Sequence, residues 1–245
     1  LQSYQTHSDI YISGWDGNKV TIDSSFNANT IFVGGSSSLI IDNSERDINI
    51  VVDNFTLEGS TDKNRFVLTG NKQVNLYVRE NLKLSSKCYM NYGRDPSLLN
   101  IYYLGNTSFT DANMNSLNIK LYGSLLVSKA NIELYHSLEI FGALVSGGAK
   151  IKVAGNATVH NSIIMPSSGS VVTLGGSGKV HGTVVADKLF MDGNPSITYK
   201  KTDFENLFPG SGSDSGSDPG SAGGGGESLT PTLDDLISAG PALEP

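Results

Sequence analysis

Cysteine, long apolar runs and clustered basic residues are all scarce in this chain. Its 245 residues include one cysteine, Cys88, so no intrachain disulfide forms and a small disulfide-stapled scaffold is excluded. No apolar run approaches the roughly eighteen residues of a membrane span. The net charge is -7 and the Lys and Arg residues are scattered, so no basic stripe follows a phosphate backbone. We therefore expect neither nucleic-acid binding nor a membrane span in this chain.

The chain instead carries a long series of short apolar beads separated by Gly, Ser, Asn and Asp. Within a bead, apolar residues recur at every second position, which is the spacing of a strand with one buried face. No bead is long enough to form a helix that buries a stripe. Clear examples from the region 143–199 are Ile151-x-Val153, Val171-Val172-x-Leu174 and Leu189-x-Met191.

The spacing of the beads predicts the architecture. Three beads per coil give about 25 to 30 residues per coil, and residues 1–199 then make about seven coils. The prediction is an all-β, single-stranded parallel β-helix, or β-solenoid, with glycine at the coil corners. A β-sandwich or a propeller is the alternative, although a sandwich would favour two-residue Asn-Gly or Asp-Gly turns between longer strands.

Two regions depart from this rhythm. Residues 87–96 include a Gly-Arg-Asp-Pro turn and are predicted to protrude as a loop from one edge of the solenoid. After residue 199, we predict a capping segment at 200–209, where Phe204, Leu207 and Phe208 have helical spacing. A flexible Gly/Ser/Asp-rich linker at 210–227 and a disordered tail with a short helix at 228–245 follow. The chain opens at Leu1 without an initiator Met, as expected for a trimmed fragment.

Polar residues suggest little catalytic chemistry. His160 and His181 lie about one coil apart and could stack, but no third ligand has a metal-site spacing, so we predict no metal and no cofactor. Asp42, Asp47 and Asp53 form the acidic cluster that a polysaccharide-active β-helix enzyme could use, but the sequence assigns no carboxylate pair. We name no catalytic residue and interpret these charges as solvated loop residues.

Aromatic residues are the stronger signal. Tyr11 and Tyr77 each lie between two apolar residues, so strand alternation turns them outward. Outward aromatic rings on a flat sheet stack on sugar rings or form protein interfaces. The predicted ligand-binding residues are Tyr89, Tyr92, Tyr102, Tyr103, Tyr77 and Trp15.

The closing stretch of the β region, residues 180–199, resembles the end of the solenoid domain in PilX-type accessory proteins of type IV pilus loci. The residues that carry the resemblance are Gly182, Val184, Ala186, Gly193, Asn194, Ile197 and Tyr199. In style, the Gly-rich coils also resemble bactofilin solenoids and the cellulose-adhering tapirins. The resemblance implies a non-catalytic protein outside the cell and a prepilin helix that lay upstream.

Together these observations predict an extracellular, pilus-associated surface protein that acts in adhesion or assembly through an extended sheet face. Its expected partner is a surface polysaccharide such as cellulose, or a pilus or surface protein. A polysaccharide lyase or hydrolase is one alternative. A bactofilin-like scaffold that polymerises through bare terminal coils is another.

Overall fold

The computed structural model describes residues 9–59, 63–85, 87–110 and 118–200, and over these ranges the chain is a parallel β-solenoid. The all-β, parallel β-helix prediction is confirmed. Each strand pairs with the corresponding strand of the next turn, and the described strands form three sheets, which we name A, B and C. The eight steps between the nine described strands of sheet A make about eight turns, close to the seven expected.

Sheets A and B run the length of the described stack, and sheet C covers its later turns. Sheet A contains β1 (Ile10–Ile12), β3 (Phe26–Val33), β5 (Ile48–Leu57), β7 (Val74–Leu84), β9 (Leu99–Tyr103), β12 (Ser124–Val127), β15 (Leu144–Ser146), β18 (Ile163–Ile164) and β21 (Val184–Val185). Sheet B contains β2 (Lys19–Ile22), β4 (Ser38–Ile41), β6 (Lys63–Leu68), β8 (Cys88–Met90), β11 (Lys120–Leu121), β14 (Glu139–Ile140), β17 (Thr158–Val159), β20 (Lys179–Val180) and β23 (Ser196–Ile197). Sheet C contains β10 (Phe109–Thr110), β13 (Ile132–Leu134), β16 (Lys150–Val153), β19 (Val171–Gly176) and β22 (Lys188–Gly193).

Turn length changes along the stack. Pairing partners are 26 residues apart at Ile50 and Leu76 but only 19 apart at Leu125 and Leu144, so the later turns fall below the expected 25 to 30 residues. The long strand β7 carries an extra residue opposite Val52 and Asn54 of β5, where the register shifts. Such a bulge bends a strand.

Inward-facing side chains form continuous apolar columns through the stack. In sheet A the pairing register places one such column on successive turns, and every member is buried. Burying an aliphatic side chain of this size stabilises the fold by about 1.5–3 kcal/mol. The column is Ile50, Leu76, Ile101, Leu125 and Leu144.

Outward polar positions are also stacked. Asn49, Asn75 and Asn100 are register partners in sheet A, and their side-chain amides are linked by hydrogen bonds of 3.0 and 3.2 Å. Identical amide side chains stacked one strand apart satisfy each other, as in other parallel sheets. These hydrogen bonds hold the register of neighbouring turns from the outer face, and the apolar columns hold it from the core.

The predicted protruding loop at 87–96 is wrong in its first part. Cys88–Met90 is a strand of sheet B that pairs with β6 and β11, and the side chains of Cys88 and Met90 are buried. The Cys-x-Met spacing is an ordinary apolar bead, hidden in the sequence by its polar neighbours. The turn itself occupies residues 91–95 and leads into a 3-10 helix, Pro96–Leu98, capped by the Asp95 carboxylate.

The solenoid belongs to a compact unit that ends at residue 202. The predicted capping segment from residue 201 onward, the linker at 210–227 and the tail at 228–245 lie outside the described residues. Among the residues that the structure does describe, no helix has the length and apolarity needed to cross a membrane.

Candidate functional site

An unbroken stack of rings follows one outer edge of sheet B. Tyr122, Phe141, His160 and His181 each come directly after a strand of this sheet, and successive turns place them above one another. Their ring centroids are 3.9, 4.2 and 5.4 Å apart, with interplanar angles of 13°, 7° and 16°. The expected stacking of His160 on His181 is confirmed.

Two tyrosines extend the stack toward the N-terminal end. Tyr92 meets Tyr122 edge to face at 5.3 Å, and its other side stacks on Tyr89 at 4.8 Å. Tyr92 is 47% exposed, the most of any ring in the stack. We call these six residues the ring ladder: Tyr89, Tyr92, Tyr122, Phe141, His160 and His181.

A charged network lies beside the ring ladder. Lys120 and Glu139 are register partners on the outer face of sheet B, and their Nζ and Oε1 atoms are 2.9 Å apart. The other carboxylate oxygen of Glu139 lies 2.8 Å from His160 Nε2. Burial pushes the pKa of Glu139 upward, but hydrogen bonds from Lys120 and His160 outweigh burial and hold this pKa below its usual range. Glu139 therefore stays ionised and neutralises its neighbours.

His181, at the far end of the ring ladder, has its pKa lowered from 6.5 by burial and by the nearby His160 and Lys179. A neutral imidazole is a good metal ligand and a good stacking partner. Over the described ranges, however, no three His, Cys, Asp or Glu side chains are grouped closely enough to hold a metal ion. The ring ladder and its charged network offer ring stacking and hydrogen bonding.

Acidification should loosen this edge of the solenoid. A lowered histidine pKa means that the fold prefers neutral His181, so its contribution is complete above pH 6.5 and is lost as the pH falls below that value. The contribution of Glu139 is lost later, as the pH falls below 4.5. We expect His181→Phe to flatten the decline of Tm on mild acidification, measured by circular dichroism. Tyr122→Phe, the control, should decline like the wild type, and an unchanged decline in His181→Phe would contradict the assignment.

The six residues predicted to bind ligand do not form one cluster. The structure brings Tyr89 and Tyr92 together in the ring ladder. Tyr77 and Tyr102 stack on each other at 4.6 Å on the outer face of sheet A, but they are only 8% and 5% exposed. Burial raises the pKa of Tyr102 to about 12. The outward direction of Tyr77 was predicted correctly, but the burial of both rings was not predicted.

Tyr103 and Trp15 lie elsewhere. Tyr103 points into the core, where its hydroxyl is within 3.1 Å of the Glu80 carbonyl oxygen and 2.9 Å of that of Thr107. It is therefore removed from the candidate site, because the alternation within β9 turns it inward with Ile101. Trp15 is 81% exposed and lies between β1 and β2, several turns of the solenoid before the ring ladder.

The acidic cluster near residue 45 is divided among separate contacts. Asp42 accepts hydrogen bonds from the amide and hydroxyl of Ser44, which lower its pKa. Asp47 accepts one from the Gln73 amide of the next turn, and Asp53 binds Arg79 at 2.5 Å. Each of the three carboxylates thus has a different partner: Asp42 bonds to Ser44 of its own turn, and Asp47 and Asp53 bond to the next turn.

Sequence reasoning missed Lys120, Glu139 and Phe141. A signal was available: Tyr122, Phe141, His160 and His181 are separated by 19, 19 and 21 residues, and each follows an apolar bead. These separations equal one turn only because the later turns are shorter than the roughly 25 to 30 residues that were expected.

These features define a parallel β-solenoid whose outer surface carries a long ladder of stacked rings. The chain matches the family described as a domain of unknown function, DUF7305, over residues 7–165, and it belongs to that family. The match covers the ring ladder from Tyr89 to His160 and stops before the stretch 180–199 that resembles PilX-type proteins. No curated protein and no solved structure matches the chain.

Proposed function

We propose that this protein is a non-catalytic binding protein of the cell surface and that the ring ladder is its contact surface. The observation that carries the proposal is the continuity of the six rings over five consecutive strands of sheet B. Strands of neighbouring turns lie about 4.8 Å apart, so the ladder is about 20 Å long. A straight surface of this length suits an extended polymer that lies parallel to the solenoid axis.

The chemistry of the ladder favours a hydroxyl-rich partner. Because most of the rings stack face to face, they turn mainly their edges outward, and the half-buried tyrosines and histidines contribute polar atoms to those edges. Lys120 and Glu139 add charged hydrogen-bonding groups alongside, and their charges cancel. Tyr92 is the ring with the most free surface for apolar contact. Polysaccharides such as cellulose combine extended shape, hydroxyl groups and apolar ring faces, so we favour a surface polysaccharide over a protein partner.

Location and pilus association belong to the same proposal. They rest on the resemblance of residues 180–199 to pilus-associated solenoids and not on the geometry of the ladder. A surface-exposed solenoid without disulfides is reasonable, because its backbone hydrogen bonds and continuous core supply the stability that disulfides give small secreted domains.

The exposed last turn favours self-association as a second function. Leu189 and Met191 of β22 occupy inward positions yet are 44% and 51% exposed. Within the described residues, the stack thus ends in exposed apolar side chains, which a scaffold that polymerises through its terminal coils would need, and this end is far from Tyr92 along the stack.

Retention on insoluble polysaccharide tests the binding proposal. We expect the full chain to be retained on cellulose, xylan or chitin, and the double variant Tyr92→Ala/Tyr122→Ala to bind roughly tenfold more weakly, since exposed aromatic residues dominate such contacts. Tyr11→Ala is the matched control, because Tyr11 is also exposed but lies in β1, outside the ladder. Product release should be assayed in the same tubes.

Three outcomes would contradict the proposal. Equal weakening by Tyr11→Ala would remove the ladder as the site. Release of reducing sugar or unsaturated product would favour the enzyme alternative. No retention on any polysaccharide would leave a protein as the partner. Thermal melts of each variant separate lost binding from lost folding.

A further inference from the structure

We propose that two copies of this chain associate through the C-terminal ends of their solenoids, by antiparallel pairing of β22 with β22 of the second copy. Among the residues that the structure describes, the last turn ends in an open edge. Leu189, Met191 and Ile197 pair in register with Val172, Leu174 and Val180 of the preceding turn, which are completely buried. The side chains of the last turn continue the same inward columns, but they are one-third to one-half exposed. An open sheet edge with apolar side chains is a template for pairing.

The backbone of β22 is oriented to accept another strand. The amide of Lys188 donates to the Ser170 carbonyl at 3.0 Å, and that of Asn194 to the Gly176 carbonyl at 2.8 Å. Even-numbered residues of this strand therefore direct their hydrogen-bonding groups back into the stack. The groups of Leu189 and Met191 alternate with them and point toward the open edge.

The sequence of β22 is self-complementary in one antiparallel register. When Phe190 lies opposite Phe190 of the second copy, Leu189 faces Met191 and Lys188 faces Asp192. Leu189 and Met191 then exchange their edge-directed backbone hydrogen bonds and continue the apolar core across the junction. The two Lys188–Asp192 pairs form on the outer face, and opposite charges stabilise such cross-strand positions.

The last turn contributes one strand to each of the three sheets, so the same contact can form at all three strands. A two-fold axis through the middle of β22 places β21 of one copy over β23 of the other, so all three open strands gain an antiparallel neighbour. The opposite end of the described stack, formed by β1 and β2, exposes fewer apolar side chains. Its inward residues Ile12 and Ile22 are buried, although Val20 is 38% exposed. A closed two-fold dimer therefore fits better than a head-to-tail filament.

Charge exchange gives the first test. We expect the full chain to sediment as a dimer. Lys188→Asp and Asp192→Lys should each raise the dimer Kd roughly tenfold, because each places like charges opposite one another twice. The double variant Lys188→Asp/Asp192→Lys restores both pairs and should restore the dimer. Lys150→Asp is the control, because Lys150 is exposed in the same outward column two turns earlier.

Cross-linking tests the register directly. Opposite residues in a non-hydrogen-bonded antiparallel pair have Cα atoms about 4.5 Å apart, within reach of a disulfide. Phe190→Cys should therefore form a disulfide-linked dimer on mild oxidation, and Lys188→Cys should not. Native Cys88 does not compete, because it is buried and its pKa is raised to about 11. A monomer at every concentration, growth beyond the dimer, or equal cross-linking at 188 and 190 would overturn the proposal.

Discussion

Replacing Phe66 with Ala should reduce the free energy of unfolding by about 3–5 kcal/mol. Phe66 is completely buried in β6 and meets Phe55 of the preceding strand edge to face, with centroids 5.8 Å apart at 75°. Its register partners, Leu39 and Met90, lie directly above and below it in the stack. Backbone hydrogen bonds hold the distance between turns, so neighbouring turns do not close around the cavity. Equilibrium unfolding in urea measures the loss.

The matched control for this prediction is Phe32→Ala. Phe32 has the same size but lies on the outer face, half-buried beside Tyr11 at a centroid distance of 6.2 Å. Its removal should cost about 1 kcal/mol or less. If Phe66→Ala destabilised the protein no more than Phe32→Ala, the continuous core of this solenoid would not be its main source of stability.

Replacing Gly142 with Ala should also destabilise the solenoid, through the opposite mechanism of overpacking. A Cβ atom at this corner would lie 2.4 Å from the Gly123 carbonyl oxygen and 2.5 Å from its carbonyl carbon. The Gly142 amide also donates to that oxygen at 3.0 Å. The added methyl group therefore forces two turns apart at a hydrogen bond. We expect a loss of about 1–3 kcal/mol or more, seen as a lower Tm and urea midpoint.

Gly175→Ala isolates the steric cause. Gly175 lies in β19, and a Cβ atom there would meet only the Cβ atom of Ala154, at an ordinary 3.5 Å. This variant should be neutral or slightly stabilising, because alanine restricts the unfolded chain. Equal destabilisation by both alanine variants would show that glycine matters here for backbone freedom and not for the close approach of two turns.

The apolar beads were sufficient to predict the fold class because each bead is local. Ile151-x-Val153 became β16 and Leu189-x-Met191 became part of β22, as the alternation indicates. A strand that pairs in parallel with its equivalents needs only an inward stripe and a flexible corner, and both are visible in a short window of sequence. Cys88–Met90 shows the limit, since polar neighbours concealed a bead of the same kind.

The candidate site was less predictable because its parts meet across turns. Tyr92 and Tyr122 are thirty residues apart, and their contact depends on the length of the turn between them, which the sequence pattern leaves uncertain. Tyr77 and Tyr102 share an outward direction with Tyr11, yet the first two are buried and Tyr11 is exposed. Outward direction follows from strand alternation, whereas exposure depends on what packs against the outer face.

The sequence by itself therefore determined that this protein is a parallel β-solenoid, since repeated short-range alternation specifies strands that stack. Only the tertiary structure decided which side chains form ladders. Turn lengths differ, and bulges and corners absorb the difference, as the extra residue of β7 shows, so the column that a side chain joins cannot be counted from the sequence. The alignment of Tyr122, Phe141 and His160 follows from the turns between them, and the exposure of Leu189 and Met191 follows from their place in the last described turn.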